Sequence, residues 1–292
     1  MSKNTNNLLI CYNKNIFRNI FLIIQFICLL LRNYKKIFNL EITFLGTGTS
    51  QGVPVIACTC EVCNSKNHKD KRLRSSVLIK TDNKIITIDA GPDFRQQMLR
   101  EKVKNLDAIL ITHGHKDHVG GLDDVRAFNY QQKRPMDVFA SKIHQVDIKR
   151  EFYYAFEENT YPGVPKINLN VVDGNSFDID TINVIPIKAK HYKTEVLGYR
   201  IGNFTYITDA NYISDKEKDK IHGSKIIVLN ALRKQKHVSH FNLSEAIEVL
   251  KELKPEKAYL THISHLMELH DMVSKELPSF IELAYDGLKI NC

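Results

Sequence analysis

The sequence predicts an α/β protein in which two β-sheets pack together with helices outside. From Glu41 onward, strand-like apolar runs alternate with helical patterns, and no long linker interrupts them. The runs fall into two halves of similar content on either side of the rigid loop Tyr161-Pro162-Gly163-Val164-Pro165, as expected when two sheets share one layered core. At 292 residues the chain can hold one large domain.

In chain order, Glu41 to Leu45 reads as the first strand. Ser76–Lys80 and Lys84–Asp89 read as a hairpin around Thr81-Asp82-Asn83, residues that favour a turn. Asp93 to Lys102 is a short helix capped by Asp93 after Pro92. Asp107–Ile111 and Met136–Ala140 are apolar enough for buried strands, and Ser141 caps a helix running to about Phe156. Further strands are expected near Asn168–Val172, Ile182–Ile187, Val196–Ile201, Phe204–Thr208, Lys225–Leu229 and Lys257–Leu260. Leu243–Leu253 has helical spacing, and Asp215–Lys220 reads as a solvated helix face or loop.

The formal charge of +8 is unevenly placed. Lys3, Lys14, Arg18, Arg32, Lys35 and Lys36 lie in residues 1–40, which hold no Asp or Glu, so residues 41–292 keep +2. That is too little to infer a polyanion-binding surface, and a nucleic-acid partner is not expected. Three readings of the leader 1–40 stand: sequence upstream of a start near Leu40, a membrane-associated anchor, or a signal peptide. Its apolar run Ile20–Leu31, twelve residues broken by Gln25, falls short of the roughly 18–20 of a membrane span. Arg32-Asn33-Tyr34 offers no small-residue cleavage site. The expected organisation is this leader followed by one domain over 41–292. It is placed in the cytoplasm, with membrane contact if the leader is native, and a homodimer is compatible with the sequence.

The densest chemistry is Thr112-His113-Gly114-His115-Lys116-Asp117-His118, directly after the Asp107–Ile111 strand. Three imidazoles and a carboxylate in six residues suit divalent first-row metals. His113 and His115 can share one ion, and Asp117 and His118 can reach a neighbouring position. Further ligands are expected at other strand ends, where sheet proteins gather them: His191 after Ile182–Ile187, Asp209 after Phe204–Thr208, and His262 after Lys257–Thr261. Six cysteines are present; Cys11 and Cys28 lie in the leader and Cys292 ends the chain. The remaining Cys58, Cys60 and Cys63, at C-x-C-x-x-C spacing, suit a tetrahedral zinc that needs a fourth ligand. His265 can complete that site, with His68 as the local competitor.

The His113–His118 loop, the later His191, Asp209 and His262, and the turn Asp89-Ala90-Gly91 together resemble the metallo-β-lactamase superfamily. The resemblance implies an αβ/βα four-layer sandwich with its metal site at the sandwich edge. It implies that His113, His115 and His191 hold one ion, that Asp117, His118 and His262 hold a second, and that Asp209 bridges them. Asp89 resembles the superfamily's aspartate that steadies the ligand loop by hydrogen bonds without touching metal. The early Gly46-Thr-Gly-Thr-Ser-Gln-Gly-Val-Pro54, the cysteine spacing, Thr261-His-Ile-Ser-His265 and Tyr285-Asp-Gly-Leu288 narrow this further. They resemble the phosphoribosyl cyclic phosphodiesterases of the carbon–phosphorus lyase pathway, which implies a structural zinc on Cys58, Cys60, Cys63 and His265.

The expected activity is hydrolysis of a small or cyclic phosphodiester by hydroxide shared between two divalent ions, zinc or manganese. His240 matches the family's active-site histidine that is not a ligand, with His237 as its near alternative. His240 would steady the phosphoryl oxygens or protonate the leaving oxygen, and Asp117 counts beside it among the residues taking part in catalysis. A tRNA 3′-processing endonuclease, a thioester hydrolase and a non-catalytic cofactor-pathway carrier are the alternatives on this fold. The walls of the substrate pocket are sought around Phe128–Arg134 and Phe152–Pro165.

Overall fold

The structure is a computed structural model describing residues 39–81, 83–158 and 161–292. The readings of the leader, up to position 38, therefore lie outside the described residues. Leu40 is buried, and its N–H and C=O both pair with Cys292 (3.0 and 2.9 Å), so the sheet begins just before the expected boundary. The described chain from Asn39 falls in one compact unit.

Two sheets of seven strands form the centre. The first contains β1 (Glu41–Gly46), β2 (Ser76–Lys80), β3 (Ile85–Ile88), β4 (Ala108–Leu110), β5 (Met136–Ala140), β6 (Ile167–Val171) and β14 (Lys289–Asn291), in the order β14-β1-β2-β3-β4-β5-β6. The second contains β7 (Phe177–Ile179), β8 (Ile182–His191), β9 (Thr194–Ile201), β10 (Phe204–Ile207), β11 (Ile226–Asn230), β12 (Lys257–Thr261) and β13 (Ile281–Leu283), in the order β13-β12-β11-β10-β9-β8-β7. Both sheets follow one pairing rule. In the first, β14, β1, β2 and β3 are antiparallel and β3 to β6 parallel. In the second, β7 to β10 are antiparallel and β10 to β13 parallel. Asp89 follows β3 and Asp209 follows β10, so the two aspartates occupy equivalent turns, each where its sheet changes from antiparallel to parallel.

Side-chain alternation sorts the apolar residues into three layers. Phe44, Val77, Ile86 and Leu110 of the first sheet face Tyr199, Tyr206 and Val228 of the second. On the outer side of the first sheet, Leu78 and Ile109 meet Phe94, Phe128 and Ile148 from helices. On the outer side of the second, Leu229 and Leu260 meet Ala246, Leu250 and Val273. Helix, sheet, sheet and helix are the four layers of the αβ/βα sandwich. The first and last motifs of the domain meet at Asp286, which accepts Thr47 Oγ1 (2.8 Å) and the Leu73 N–H (2.7 Å).

Several elements differ from the sequence reading. The helix after Ser141 ends at Glu151, followed by a 3₁₀ turn over Tyr153–Ala155. Asp93 heads the helix Phe94–Arg100 without capping it, because its carboxylate accepts the Arg74 backbone N–H (2.8 Å) and pairs with the Arg74 guanidinium (3.1 Å). β8 continues through Pro186 to His191. β7 pairs it only from Ile182 to Val184, so the N–H missing at Pro186 leaves no ladder bond unmade. Asp215–Ile221 is a helix. The strands β7, β13 and β14, three residues each, carried too short a pattern to be read.

The helix Leu243–Leu253 runs as expected, with Asn242 and Glu245 forming a reciprocal capping box. Removing the cap by Asn242→Ala should cost about 1 kcal/mol, read as a lower denaturation midpoint at unchanged m-value.

Candidate metal centre

Chain segments leaving the carboxyl ends of β3, β4, β8, β10 and β12 converge on one cluster. His113 Nε2 lies 3.0 Å from His115 Nδ1, and the His191 ring lies 5.5 and 5.2 Å from theirs. Donor atoms of these three residues all lie within 4.8 Å of one another, and so do those of Asp117, Asp209 and His262. His118 Nε2 sits 3.0 Å from Asp117 Oδ2 and 3.2 Å from Asp209 Oδ2, and His262 Nδ1 lies 3.1 Å from the same Asp209 oxygen. Asp209 belongs to three donor groups at once: with His113 and His118, with His191 and His240, and with Asp117 and His262. All seven residues expected to hold metal are brought together.

Backbone conformation does much of the aiming. Asp89, Asp209 and His262 all have left-handed φ (65°, 57° and 57°), which costs of order 1 kcal/mol or more for a non-glycine residue. Each follows a buried strand, and the reversal turns its side chain towards the cluster. Gly91 solves a different problem. A Cβ there would lie 2.0 Å from the Asp117 carbonyl oxygen, so the Asp89 turn can pack against the ligand loop only without a side chain.

Asp89 holds the loop from behind. One of its oxygens accepts the Thr112 N–H (2.8 Å), the Thr112 hydroxyl donates to the same carboxylate (2.9 Å), and His118 Nδ1 lies 2.7 Å away. His113 Nδ1 lies 3.1 Å from that hydroxyl, and His191 Nδ1 donates to the Ser239 carbonyl (2.9 Å). These contacts turn Nε2 of His113, His118 and His191 towards the cluster. Asp89→Asn should weaken divalent-metal affinity roughly 10–100-fold, measured by competition with a chromogenic chelator.

The electrostatics suit a cation. Burial holds His113 well below the usual histidine range and also lowers His115 and His262. At His118 burial again opposes charge, but Asp117, Asp209 and Asp89 outweigh it and push the pKa up. Burial likewise acts against ionisation of Asp209 and Asp117, yet the imidazoles around them, His262 and His118 foremost, keep both carboxyls below their usual range. Among the described residues, buried His118 Nε2 makes no well-directed hydrogen bond, although oxygens of Asp117 and Asp209 lie 3.0 and 3.2 Å from it. Converging imidazole nitrogens, ionised carboxylates and a buried nitrogen without a well-directed hydrogen bond fit divalent cations.

His240 stacks on His262, with ring centroids 4.9 Å apart at 21°. Its Nδ1 is 3.8 Å from Asp209 Oδ1 and without a hydrogen bond, and burial pushes its pKa down to about 3. His237 lies behind it, 5.2 Å ring to ring, with Nδ1 engaged by Ser239. His144 escaped the sequence reading. It is buried 6.3 Å from the His113 ring and donates Nε2–H to the Glu195 carbonyl (2.9 Å), and its place in a helix pattern gave no signal.

The cysteines form a second cluster. Sγ of Cys58, Cys60 and Cys63 lie 3.3, 3.4 and 3.6 Å from His265 Nδ1. His68 instead packs edge-on against Tyr285, so His265 is the fourth donor the trio meets. The Cys63 N–H lowers the Cys60 thiol to about 6, while burial raises Cys63 to about 11. Three sulfurs and one imidazole match a closed tetrahedral site.

Part of the expected pocket walls is placed elsewhere. Arg134 and Tyr161–Pro165 border cavities at the amino-terminal end of β5. The register setting Phe139 beside Leu110 puts that end away from His113.

A beta-lactamase superfamily domain matches residues 84–263. An octanoyltransferase of Porphyromonas gingivalis is 39% identical over 248 residues, which is 84% of this chain and 50% of that protein. The chain thus spans half the length of this curated relative. A crystal structure described as a diphosphatase from the PhnP family is 37% identical with a TM-score of 0.81, covering 86% of this chain and 97% of that one. Zinc-bound PqqB of Methylobacterium extorquens shares the fold (TM-score 0.71, 18% identity, 86% and 100% covered). The matched domain contains both halves of the metal cluster, and the chain belongs to the metallo-β-lactamase superfamily.

Proposed function

We propose that the chain hydrolyses a small or cyclic phosphodiester at two divalent ions, zinc or manganese. The observation that carries this reading is the Asp209 carboxylate, common to donor groups on both sides of the cluster. His113, His115 and His191 would hold one ion, Asp117, His118 and His262 the other, and Asp209 both. Such ions lower the pKa of a bound water towards neutrality and polarise phosphoryl oxygens. Asp89 and Thr112 keep the loop in register, and Asp117 orients His118 while helping to hold the second ion. His240 is held neutral by burial, which favours hydrogen-bond donation to a phosphoryl or leaving oxygen over storage of a proton.

A diphosphate is the second substrate class, favoured by the 37% identity to a diphosphatase over nearly its whole length. A carrier role is disfavoured because all seven donor positions are filled, and an RNA substrate by the near-neutral charge of residues 41–292. No helix among the described residues is long and apolar enough to cross a membrane. The reading keeps the domain cytoplasmic, with homodimerisation and leader-mediated membrane contact as further proposals.

The test is a metal assay of the purified chain combined with turnover of linear phosphodiesters, cyclic phosphates, diphosphates, a β-lactam and a thioester. Activity confined to the last two would overturn the reading. His240→Ala should leave metal content intact and lower turnover roughly 10²-fold. Loss of metal in that variant would make His240 a ligand instead.

A further inference from the structure

We propose that the groove at the amino-terminal end of β5 and β6 is a second ligand site, for a phosphate ester carrying a planar ring: a nucleotide unit. Two cavities of about 500 and 400 Å³ share Arg134, Pro135, Pro162, Val164 and Lys166, and so form one continuous groove. Its walls carry Arg126, Lys133, Arg134 and Lys166 against one carboxylate, Asp137. Asp123 engages Arg126, and Asp107 engages Arg134 at 3.2 Å. Lys133 and Lys166 have no ion pair or side-chain hydrogen bond among the described residues. Two free ammonium groups lining one groove suit a phosphate.

The groove is built on a fixed frame. The Asn129 amide donates to the carbonyls of Arg134 (3.0 Å) and Lys166 (3.1 Å), and its oxygen accepts the Lys166 N–H (2.9 Å). One buried side chain therefore clamps the backbone beneath two of the cations. The other half of the chemistry is aromatic. Tyr130 and Tyr161 line the groove 68% and 78% exposed, so most of each ring is open to a ligand. They converge at Gly163, where a Cβ would lie 2.7 Å from the Tyr161 ring and 3.7 Å from the Tyr130 hydroxyl. An exposed ring beside uncompensated lysines is the combination that stacks a base and holds its phosphate.

The groove is separate from the metal cluster, because β5 spans roughly 16 Å between them. A small diester cannot touch both, so this inference does not rest on the phosphodiester reading. It is tested by calorimetric titration of the full chain with AMP, a five-residue oligoadenylate and inorganic phosphate, in wild type and in Asp209→Ala. AMP should bind in both. Lys133→Glu/Lys166→Glu and, separately, Tyr161→Ala should each weaken it about ten-fold, while inorganic phosphate should bind far less well than AMP. Tighter binding of the oligonucleotide identifies a strand as the source, and equal binding a free nucleotide. Unchanged AMP affinity in both groove variants, or its loss in Asp209→Ala alone, overturns the proposal. Should the charge reversal prevent folding, Lys133→Gln/Lys166→Gln carries the test with a smaller weakening, and unchanged affinity there overturns it equally.

Discussion

Asp209→Ala is expected to lower hydrolysis by about 10³-fold or more, beyond the usual loss for one preorganised electrostatic group. The carboxylate lies 3.2 Å from His118 Nε2 and 3.1 Å from His262 Nδ1, and it reaches donor groups containing His113 and His191. Removing it takes one negative charge from between two sets of imidazoles that depend on it, so metal affinity should fall with turnover. The Thr208 hydroxyl, which donates to Asp209 Oδ2 at 2.7 Å, would also be left buried without its acceptor. Metal stoichiometry and phosphodiester turnover, measured on the same preparation, check this. Near-normal turnover would end the proposal of a bridging role. His115→Ala should also abolish turnover; its more exposed ring makes a fold defect a poor explanation there.

Cys60→Ser should remove one zinc equivalent per chain and lower stability by about 2 kcal/mol, or roughly 4–8 °C in Tm for a domain of this size. The loop carrying the cysteines has a small apolar core of its own, in which Val53, Val62 and Cys63 are the buried members. An ion held by three sulfurs and His265 would therefore supply most of what fastens the loop. The Cys63 N–H and its neighbours hold the Cys60 thiol near 6, so this sulfur is ready to ligate at neutral pH. Activity should fall less than in Asp209→Ala, because His265 reaches the metal cluster only through Ile263 and Ser264. Unchanged zinc stoichiometry would refute the structural role.

The strands that deliver the ligands were legible because apolar runs of four or five residues bounded by turn formers have few other readings. The ligand loop was legible because imidazoles and carboxylates at that density have few stable uses without a cation. The helix Leu243–Leu253 was legible from its apolar spacing, and its ends matched to the residue. Where three-residue strands close the sheet edges, local pattern was too short to register.

By itself, the sequence determined which side chains could bind metal and that an α/β sandwich would present them at strand ends. Only the tertiary structure decided three things. It brought His265 rather than His68 to the cysteines, a choice between residues about 200 positions apart that no local spacing settles. It put Asp89 and Asp209 in equivalent left-handed turns, one holding the ligand loop and the other facing the cluster. It also moved Arg134 and Tyr161 away from His113 to a separate groove. The physical reason is the same in each case: composition and period fix what a segment can do locally, while strand register and chain reversal decide which segments meet.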